Sequence, residues 1–191
     1  MRKLFVRLLT FWLPIPKKEK KALKYRINSW LVEKSLCKGV RVGRNVRFYD
    51  SCSFTRGSEI GDWCEINGMR TAGLGKVKIG RHCCISWDVL VHTSNHDYNG
   101  EEIPFDGNNT VKDVEIGDFV WIGARVILLP GAKIGEGSII QGGAVVHGEI
   151  PPLAIAGGNP AKVFAMRDAD KFASLKARGR FFRHTKGWAW R

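Results

Sequence analysis

A histidine within a polar stretch is the side chain in this sequence best suited to move a proton. His96 follows Thr93, Ser94 and Asn95, and Asp97 comes directly after it. A histidine side chain ordinarily changes its charge close to neutral pH, so it can accept a proton from a hydroxyl group under physiological conditions. A lone histidine in a loop is more often inert, so the catalytic interpretation depends on what surrounds it.

The cysteines predict a structural role for reduced thiols. They are Cys37, Cys52, Cys64, Cys83 and Cys84, an odd number without the paired CxxC spacing of a zinc site or a disulfide framework. Free cysteine behaves as a small hydrophobic residue and is often buried. Reduced cysteines are typical of cytosolic proteins.

The composition is that of one globular domain with two basic ends. The 191 residues are 44% hydrophobic and 26% charged, which argues against wholesale disorder. The formal net charge of +13 is uneven: residues 1–26 hold 9 basic and 1 acidic residue, residues 162–191 hold 9 and 2, and the middle holds 13 and 15. No apolar stretch approaches the ~18–20 residues that cross a bilayer, and Arg7 interrupts an apolar start that would otherwise imitate a secretory signal. We therefore predict a cytoplasmic protein.

Aliphatic or aromatic residues recur at every sixth position through most of the chain. They form three runs: Val42, Phe48, Phe54, Ile60 and Ile66; Ile79, Ile85 and Val91; and Ile116, Ile122, Leu128, Ile134, Ile140 and Val146. Small or apolar residues stand four positions later, from Val46 and Cys52 to Ala144 and Ile150. A period of six fits neither a helix nor a free alternating strand. It predicts a solenoid of short strands whose stacked coils bury their inner faces.

Two breaks in the period predict irregular features of this solenoid. The phase slips by one residue between Ile66 and Ile79, which predicts a bulge or a widened corner there. The larger break lies between Val91 and Ile116, and we interpret residues 97–113 as a loop that leaves the solenoid. A long loop in a compact domain is more often functional than a simple connection.

The N-terminal segment, residues 1–36, is predicted to be helical and amphipathic. Leucine and aromatic residues around Trp12 share one helical face beside basic residues, and a basic helix follows from Lys17 to about Leu36. An apolar face beside cations is typical of a helix that lies on a membrane surface. This pattern predicts peripheral contact with the inner face of the cytoplasmic membrane.

The solenoid is predicted to span residues 37–160, because Pro151 and Pro152 end the regular hexads. The C-terminal segment, residues 161–191, changes to helical spacing near Asp168 and ends in a tail that mixes aromatic and basic residues. We therefore predict a C-terminal helix followed by a basic aromatic tail.

The string from Val114 to Lys162 resembles the signature of the hexapeptide-repeat acetyltransferases. It begins VEIGDFVWIGA, continues through PGAKIG at 130–135, and ends in IPP at 150–152 and AGGNPAK at 156–162. Over residues 40–167 the chain is similar to the maltose, galactoside and xenobiotic O-acetyltransferases and to the sugar acetyltransferases of colanic acid and O-antigen assembly. The resemblance implies an all-β core that is a left-handed parallel β-helix, with one protruding loop and flanking helical segments.

The resemblance also implies an acetyl-CoA-dependent transfer to a sugar hydroxyl, without a metal. His96 matches the catalytic general base, and the main-chain N–H near Ala124 matches the donor that stabilises the tetrahedral oxyanion. Asn67 and Asp97 match the acceptor-binding region; several relatives have proline where Asp97 stands, which favours the branch that modifies polysaccharides. The implied acetyl-CoA groove is lined by Trp121, Gly123, Ala124, Gly142, His147, Asn159, Pro160 and Lys162.

In this family the active site forms between neighbouring subunits of a trimer. The resemblance therefore implies a homotrimer in which His96 and Trp121 of one site come from different chains. The acceptor it implies is a sugar or a polysaccharide precursor, and nucleic acid is not expected as a partner.

Two other functions stay open at the level of sequence. A hexapeptide-repeat carbonic anhydrase would need three histidines on zinc across a subunit interface, and His82, His92, His96 and His147 are the candidates. The predicted outward position of His92 and corner position of His82 count against this arrangement. In the second alternative the solenoid is a membrane-associated scaffold without enzymatic activity.

Overall fold

The computed structural model describes residue 14, residues 16–36 and residues 39–182, which form a β-solenoid between two helices. The helices are α1 (Lys17–Ser35) and α2 (Ala169–Ala177). The strands are β1 (Arg41–Val42), β2 (Arg47–Phe48), β3 (Cys52–Ser53), β4 (Glu59–Ile60), β5 (Glu65–Ile66), β6 (Met69–Ala72), β7 (Val77–Ile79), β8 (Cys84–Ile85), β9 (Val89–His92), β10 (Ser94–His96), β11 (Asn109–Val111), β12 (Val114–Ile116), β13 (Trp121–Ile122), β14 (Ile127–Leu128), β15 (Lys133–Ile134), β16 (Ile139–Ile140), β17 (Val145–Val146), β18 (Glu149–Ile150), β19 (Ala154–Gly157) and β20 (Lys162–Met166). Cys37, the apolar face around Trp12 and the basic tail beyond residue 182 lie outside the described residues, so the membrane contact stays a prediction.

The strands of the solenoid form three parallel sheets around a common core. Sheet A contains β1, β4, β7, β12, β15 and β18; sheet B contains β2, β5, β8, β13, β16 and β19, with β20 antiparallel at its end; and sheet C contains β3, β6, β9, β14 and β17. Each complete coil contributes one strand to each sheet. The fold is the left-handed parallel β-helix predicted from the sequence, with its flanking helices.

The residues that recur every sixth position form the core. Ile85, Ile122 and Ile140 lie in register on successive strands of sheet B and are at most 1% exposed. Burying an aliphatic side chain of this size stabilises a protein by ~1.5–3 kcal/mol relative to leaving it in water. Because each coil covers the core of the next, this stabilisation depends on the stacking.

Two of the three cysteines at the small position of the repeat are buried, as the repeat predicts. Cys64 and Cys83 are buried at the small inward position, whereas Cys52 is only half-buried and Cys84 is exposed. A hydrogen bond with Cys64, together with burial, raises the pKa of the Cys83 thiol well above its ordinary value. A thiol held in its neutral form is a poor nucleophile, so a structural role fits these residues.

The strand register departs from an eighteen-residue coil where the period slips and again in the last coil. Glu59 pairs with Lys78 one residue later than an eighteen-residue coil requires, which is the predicted slip. The prediction that Ile150 occupies the small fourth position is wrong. Ile150 pairs with Ile134 and therefore occupies the large aliphatic position, because the last coil is shorter than the others.

Helix α1 covers the N-terminal end of the solenoid, and its bounds confirm the predicted basic helix. The Asn28 side chain donates to the carbonyl oxygens of Phe48 and Tyr49, at 3.4 and 2.7 Å, and Val32 is fully buried. Tyr25 packs edge-on against Tyr49, with ring centroids 5.0 Å apart. The helix thereby shields the first coil, whose strand edges and core would otherwise meet water.

At the other end the chain folds back on the solenoid. Strand β20 pairs with β19 in the antiparallel sense, which the sequence analysis did not predict. The predicted C-terminal helix is confirmed as α2, and the Asp168 side chain accepts the Lys171 N–H at 2.8 Å as its N-terminal cap. Lys176 forms a 2.5 Å ion pair with Glu136, which fixes α2 against the corner between sheets A and B.

Aspartates at the corner between sheets A and B connect successive coils. Asp62 accepts the backbone N–H of Arg44 at 2.8 Å and its guanidinium at 2.9 Å, and Asp118 makes the equivalent contacts with Arg81. These hydrogen bonds from Arg44, the backbone one first, lower the pKa of Asp62 below its ordinary value of 3.8.

Asp62→Asn is expected to make the free energy of unfolding depend less on pH in the acid range. A carboxylate whose pKa is lowered on folding contributes its stabilisation above the ordinary aspartate pKa and loses it as pH falls through the lowered native value. The variant should therefore be less stable than the parent near neutral pH, with a difference that shrinks toward about pH 3. Urea unfolding at both pH values measures this, and Glu102→Gln on an exposed loop is the control. An equal difference at both pH values would contradict the assignment.

Candidate active site

The predicted loop is a β-hairpin that projects from the corner between sheets C and A. Strands β10 and β11 pair in the antiparallel sense, with Ser94 opposite Val111 and His96 opposite Asn109. We call residues 94–111 the hairpin arm. Residues 97–113 were predicted to form a loop, but the last part of this segment is strand β11 and the start of the return to the solenoid.

Thr93 anchors the base of the hairpin arm to the solenoid. It is fully buried, and its hydroxyl accepts the Gly75 N–H at 3.1 Å and donates to the Ala72 carbonyl at 3.2 Å. Its own carbonyl accepts the Lys112 N–H, where the arm returns. The arm therefore leaves the body at a fixed point, and His96 lies three residues beyond it.

His96 is exposed on the hairpin arm, and its ring stacks on the ring of Phe105. The ring centroids are 3.8 Å apart and the planes differ by 4°. Asp97 lies in the turn that follows: its carboxylate accepts the Asn99 N–H at 3.0 Å, and its own N–H donates to the Asn108 carbonyl. His96 and Asp97 were predicted site residues, whereas no sequence pattern indicates the contact of His96 with Phe105, which is nine residues away.

The residues predicted to line the acetyl-CoA groove lie mostly at the corner between sheets B and C. Trp121 projects from sheet B and is 54% exposed. Two residues after it, Gly123 donates its N–H to the Ile140 carbonyl at 2.8 Å. Gly143 donates to the Ala124 carbonyl at 2.8 Å, so the two coils stack closely at this corner.

This corner has no room for side chains between its coils. A Cβ atom added to Gly123 would lie 2.4 Å from the Gly142 nitrogen, and one added to Gly142 would lie 3.1 Å from the Ala124 oxygen. Within the described part of the chain, no hydrogen bond joins the Ala124 N–H to another residue. The corner therefore presents bare backbone with an available donor.

The same corner continues to both ends of the solenoid. Val145 donates its N–H to the Gly158 carbonyl at 2.9 Å, which places the exposed Asn159 and Pro160 one coil beyond Gly142. Lys162 is exposed at the start of β20. Toward the N-terminus, the Asn67 side chain donates to the Ile85 carbonyl at 3.2 Å, which aligns Asn67 with this corner two coils before Gly123.

The remaining predicted residues lie at a different corner. His147 follows β17 and is exposed at the corner between sheets C and A, the corner that also carries the hairpin arm. Within one chain, the structure thus brings together Trp121, Gly123, Ala124 and Gly142. His96 and His147 lie on the far side of sheet C from this group.

The outer faces of the three sheets differ in chemistry, a feature that the sequence analysis missed. On the outer face of sheet A, residues paired between neighbouring strands alternate in charge. They are Arg41, Glu59, Lys78, Glu115, Lys133 and Glu149. In sheet B the outer residues from Trp121 onward are apolar, with Ile139 and Ile155 in register. In sheet C the outer row begins with Ser53 and Arg70 and is apolar from Leu90 onward, with Ile127 and Val145 in register. Each of these outer residues directly precedes the aliphatic residue of its hexad, so the sequence already contained the pattern.

The described residues lack both a cluster of metal ligands and a membrane-spanning helix. No three histidine, cysteine or acidic side chains in residues 14–36 and 39–182, as far as described, lie close enough together to hold a metal ion. None of the helices in the same part of the chain combines the length and apolar character required to cross a bilayer.

Comparison with known proteins agrees with this fold. Residues 113–148 match the family described as bacterial transferase hexapeptide (six repeats). SACOL2570 of Staphylococcus aureus (strain COL), which is named as an acetyltransferase, is 35% identical over 131 residues, 69% of this chain and 57% of that protein. The chain therefore spans less than two thirds of this relative.

Two solved structures have the same architecture. AntD, an N-acyltransferase from Bacillus cereus in complex with dTDP and coenzyme A, superposes with a TM-score of 0.65 at 22% identity, covering 75% of this chain and 81% of AntD. A galactoside acetyltransferase in complex with coenzyme A gives a TM-score of 0.54 at 23% identity, covering 89% of this chain and 82% of the enzyme.

Proposed function

We propose that this chain, which belongs to the hexapeptide-repeat transferases, moves an acetyl group from acetyl-CoA to a sugar hydroxyl, in the assembly of cell-surface polysaccharide or O-antigen. The observation that carries the proposal is the bare corner at Ala124 and Gly142, with an exposed Trp121 beside it. An extended thioester substrate needs such a surface, where backbone can approach it closely. AntD and the galactoside acetyltransferase, which share the fold, were each solved with coenzyme A.

The proposed reaction is direct acyl transfer. His96 accepts the proton of the acceptor hydroxyl as its oxygen attacks the thioester carbonyl carbon of acetyl-CoA. The resulting oxyanion accepts a hydrogen bond from the Ala124 N–H, a donor that is already in place before the charge develops. Collapse of the tetrahedral intermediate breaks the carbon–sulfur bond, and the CoA sulfur takes the proton from the His96 imidazolium.

A homotrimer would bring the two halves of this site together. His96 and Trp121 lie at different corners of one chain, so a single chain does not combine the base with the groove. The outer faces of sheets B and C are apolar from Trp121 and Leu90 onward and suit contact with other subunits there, whereas the alternating charges of sheet A suit water. We propose that His96 of one subunit acts on acetyl-CoA held beside Trp121 of the next.

The other predicted residues take supporting roles in this proposal. Gly123, Gly142 and the turn at Asn159 and Pro160 would border the pantetheine and adenine parts of CoA. Lys162 would meet a phosphate group as a point charge. The acceptor would lie near Asn67 and Asp97, and His147 would contact CoA only across the subunit interface.

Calorimetric titration with acetyl-CoA, with zinc assayed on the same sample, tests the donor. We expect binding at about one site per subunit without stoichiometric zinc, because the groove is repeated in each chain. Thiol release in the presence of hydroxyl sugars and nucleotide-linked amino sugars then identifies the acceptor. Transfer only to amino sugars would replace O-acetylation by N-acetylation. Zinc near one per subunit without binding of acetyl-CoA would favour the carbonic anhydrase alternative.

A further inference from the structure

We infer that Phe105 is a positioning residue for His96, and that the tip of the hairpin arm is built to hold it there. The inference rests on the proposed function, in which His96 is the general base. It adds a residue that lies outside the string resembling the acetyltransferases and outside every predicted site position.

The contact covers one face of the imidazole and leaves its edge open. The two rings are nearly parallel, with a centroid separation of 3.8 Å, and Phe105 keeps 41% of its surface exposed. Both ring nitrogens of a histidine lie on the edge of the ring, so a stack on the face restricts rotation without blocking hydrogen bonds. His96 is otherwise an exposed side chain on a narrow two-stranded arm, where its ring would turn freely.

A carboxylate at the tip of the arm fixes the position of Phe105. The Asp106 side chain accepts the backbone N–H groups of Asn108 at 2.8 Å and Glu101 at 3.3 Å, and also the Asn108 side-chain amide at 3.0 Å. These hydrogen bonds, the one from the Asn108 backbone first, lower the pKa of Asp106 and keep its carboxylate ionised. The tip is therefore closed across residues 101–108, with Phe105 inside the closed segment.

A glycine allows this closure. A Cβ atom on Gly100 would lie 2.1 Å from an Asp106 carboxylate oxygen, so any larger residue would displace the carboxylate. The base of the tip is closed as well, because the Asp97 N–H donates to the Asn108 carbonyl at 3.0 Å. The segment that carries Phe105 is thus closed on itself through Asp106, and its Asn108 end is hydrogen-bonded to the residue that follows His96.

The stack matches what a general base needs. Proton transfer requires the accepting nitrogen to be held within hydrogen-bond reach of the acceptor hydroxyl, and small displacements are costly in rate. When the base takes the proton, the imidazolium lies against the face of an aromatic ring, where a cation is attracted. Phe105 therefore orients the ring before the transfer and stabilises the charge that forms during it.

NMR tests the contact without knowledge of the acceptor. The His96 ring protons, assigned with His96→Ala, should lie upfield in the full chain because of the Phe105 ring current. Phe105→Leu should move them downfield, Phe105→Tyr should leave them in place, and Tyr98→Leu should not affect them, since Tyr98 is on the same arm and 80% exposed. Unchanged His96 resonances in Phe105→Leu would overturn the inference.

Kinetics with the acceptor found by thiol release test the role. Phe105→Leu should lower kcat by about tenfold, with the KM for acetyl-CoA unchanged, and Phe105→Tyr should restore it. Tyr98→Leu should keep the parent kcat. If His96→Ala abolishes turnover but Phe105→Leu keeps the parent kcat, the positioning role is overturned and the proposed function stands. If His96→Ala itself keeps turnover, the proposed function fails first.

Discussion

His96→Ala is expected to lower kcat by about 10²- to 10⁴-fold, which is the usual contribution of a general base. Without the imidazole, the acceptor hydroxyl must attack the thioester while it still carries its proton. The binding of acetyl-CoA should change little, because in the proposed trimer the groove at Ala124 and Gly142 belongs to the neighbouring subunit and His96 serves the acceptor hydroxyl. The fold should also be retained, because His96 is exposed on the hairpin arm and contributes nothing to the core.

Steady-state thiol release and calorimetric binding of acetyl-CoA measure the two halves of this prediction. His92→Asn is the matched control, since His92 lies on sheet C, four residues before His96. Acyl transfer with one histidine base predicts near-parent turnover in this control. A site in which several histidines hold zinc predicts that both variants are inactive. Near-parent turnover in His96→Ala would remove His96 from the catalytic role.

Gly123→Ala is expected to give the largest loss of stability among single methyl additions at the bare corner. The new Cβ atom would lie 2.4 Å from the nitrogen and 2.8 Å from the Cα atom of Gly142, both of which belong to the backbone of the next coil. Side chains can rotate away from such a clash, but stacked backbones cannot separate without losing hydrogen bonds, such as that from the Gly123 N–H to Ile140. We expect a loss of about 3 kcal/mol in the free energy of unfolding.

Thermal and urea unfolding measure this loss, and Gly107→Ala is the control because a Cβ atom there meets no atom within 4 Å. A loss of this size corresponds to a fall of roughly 10 °C in Tm for a chain of this length. The Gly123 variant should also bind acetyl-CoA more weakly, because the displaced coil carries the Ala124 N–H. A Gly123 variant as stable as the Gly107 control would show that the coils at this corner can separate without cost.

The core of the solenoid was predictable because each hexad repeats the same local arrangement. The aliphatic residue of a hexad meets the aliphatic residue of the next coil, so the side chains that must be buried are visible as a period in the sequence. Ile85, Ile122 and Ile140 illustrate this, since they are buried in register as the period requires. The stacking of Ala124 with Gly142 followed from the same eighteen-residue coil.

The ends of the solenoid were less predictable, because they depend on how the pattern stops. Ile150 was assigned to the wrong position, since the last coil shortens and the sequence gives no local mark of the missing residues. Strand β20 was not predicted, although residues 163–166 are an uninterrupted apolar run. Its pairing is antiparallel and closes the edge of sheet B, which is a consequence of the open edge rather than of the hexad pattern.

The sequence alone determined that this protein is a β-solenoid, which side chains form its core, and where a bare corner and an exposed histidine would lie. These features follow from interactions that recur at a fixed spacing, so a period reveals them. Only the tertiary structure decided that the 97–113 segment folds back as a hairpin with Phe105 on His96, and that His96 and Trp121 lie at separate corners of one chain. Both features depend on where the chain turns and which distant residues then meet. Such contacts do not recur at a fixed spacing, so no period in the sequence reveals them.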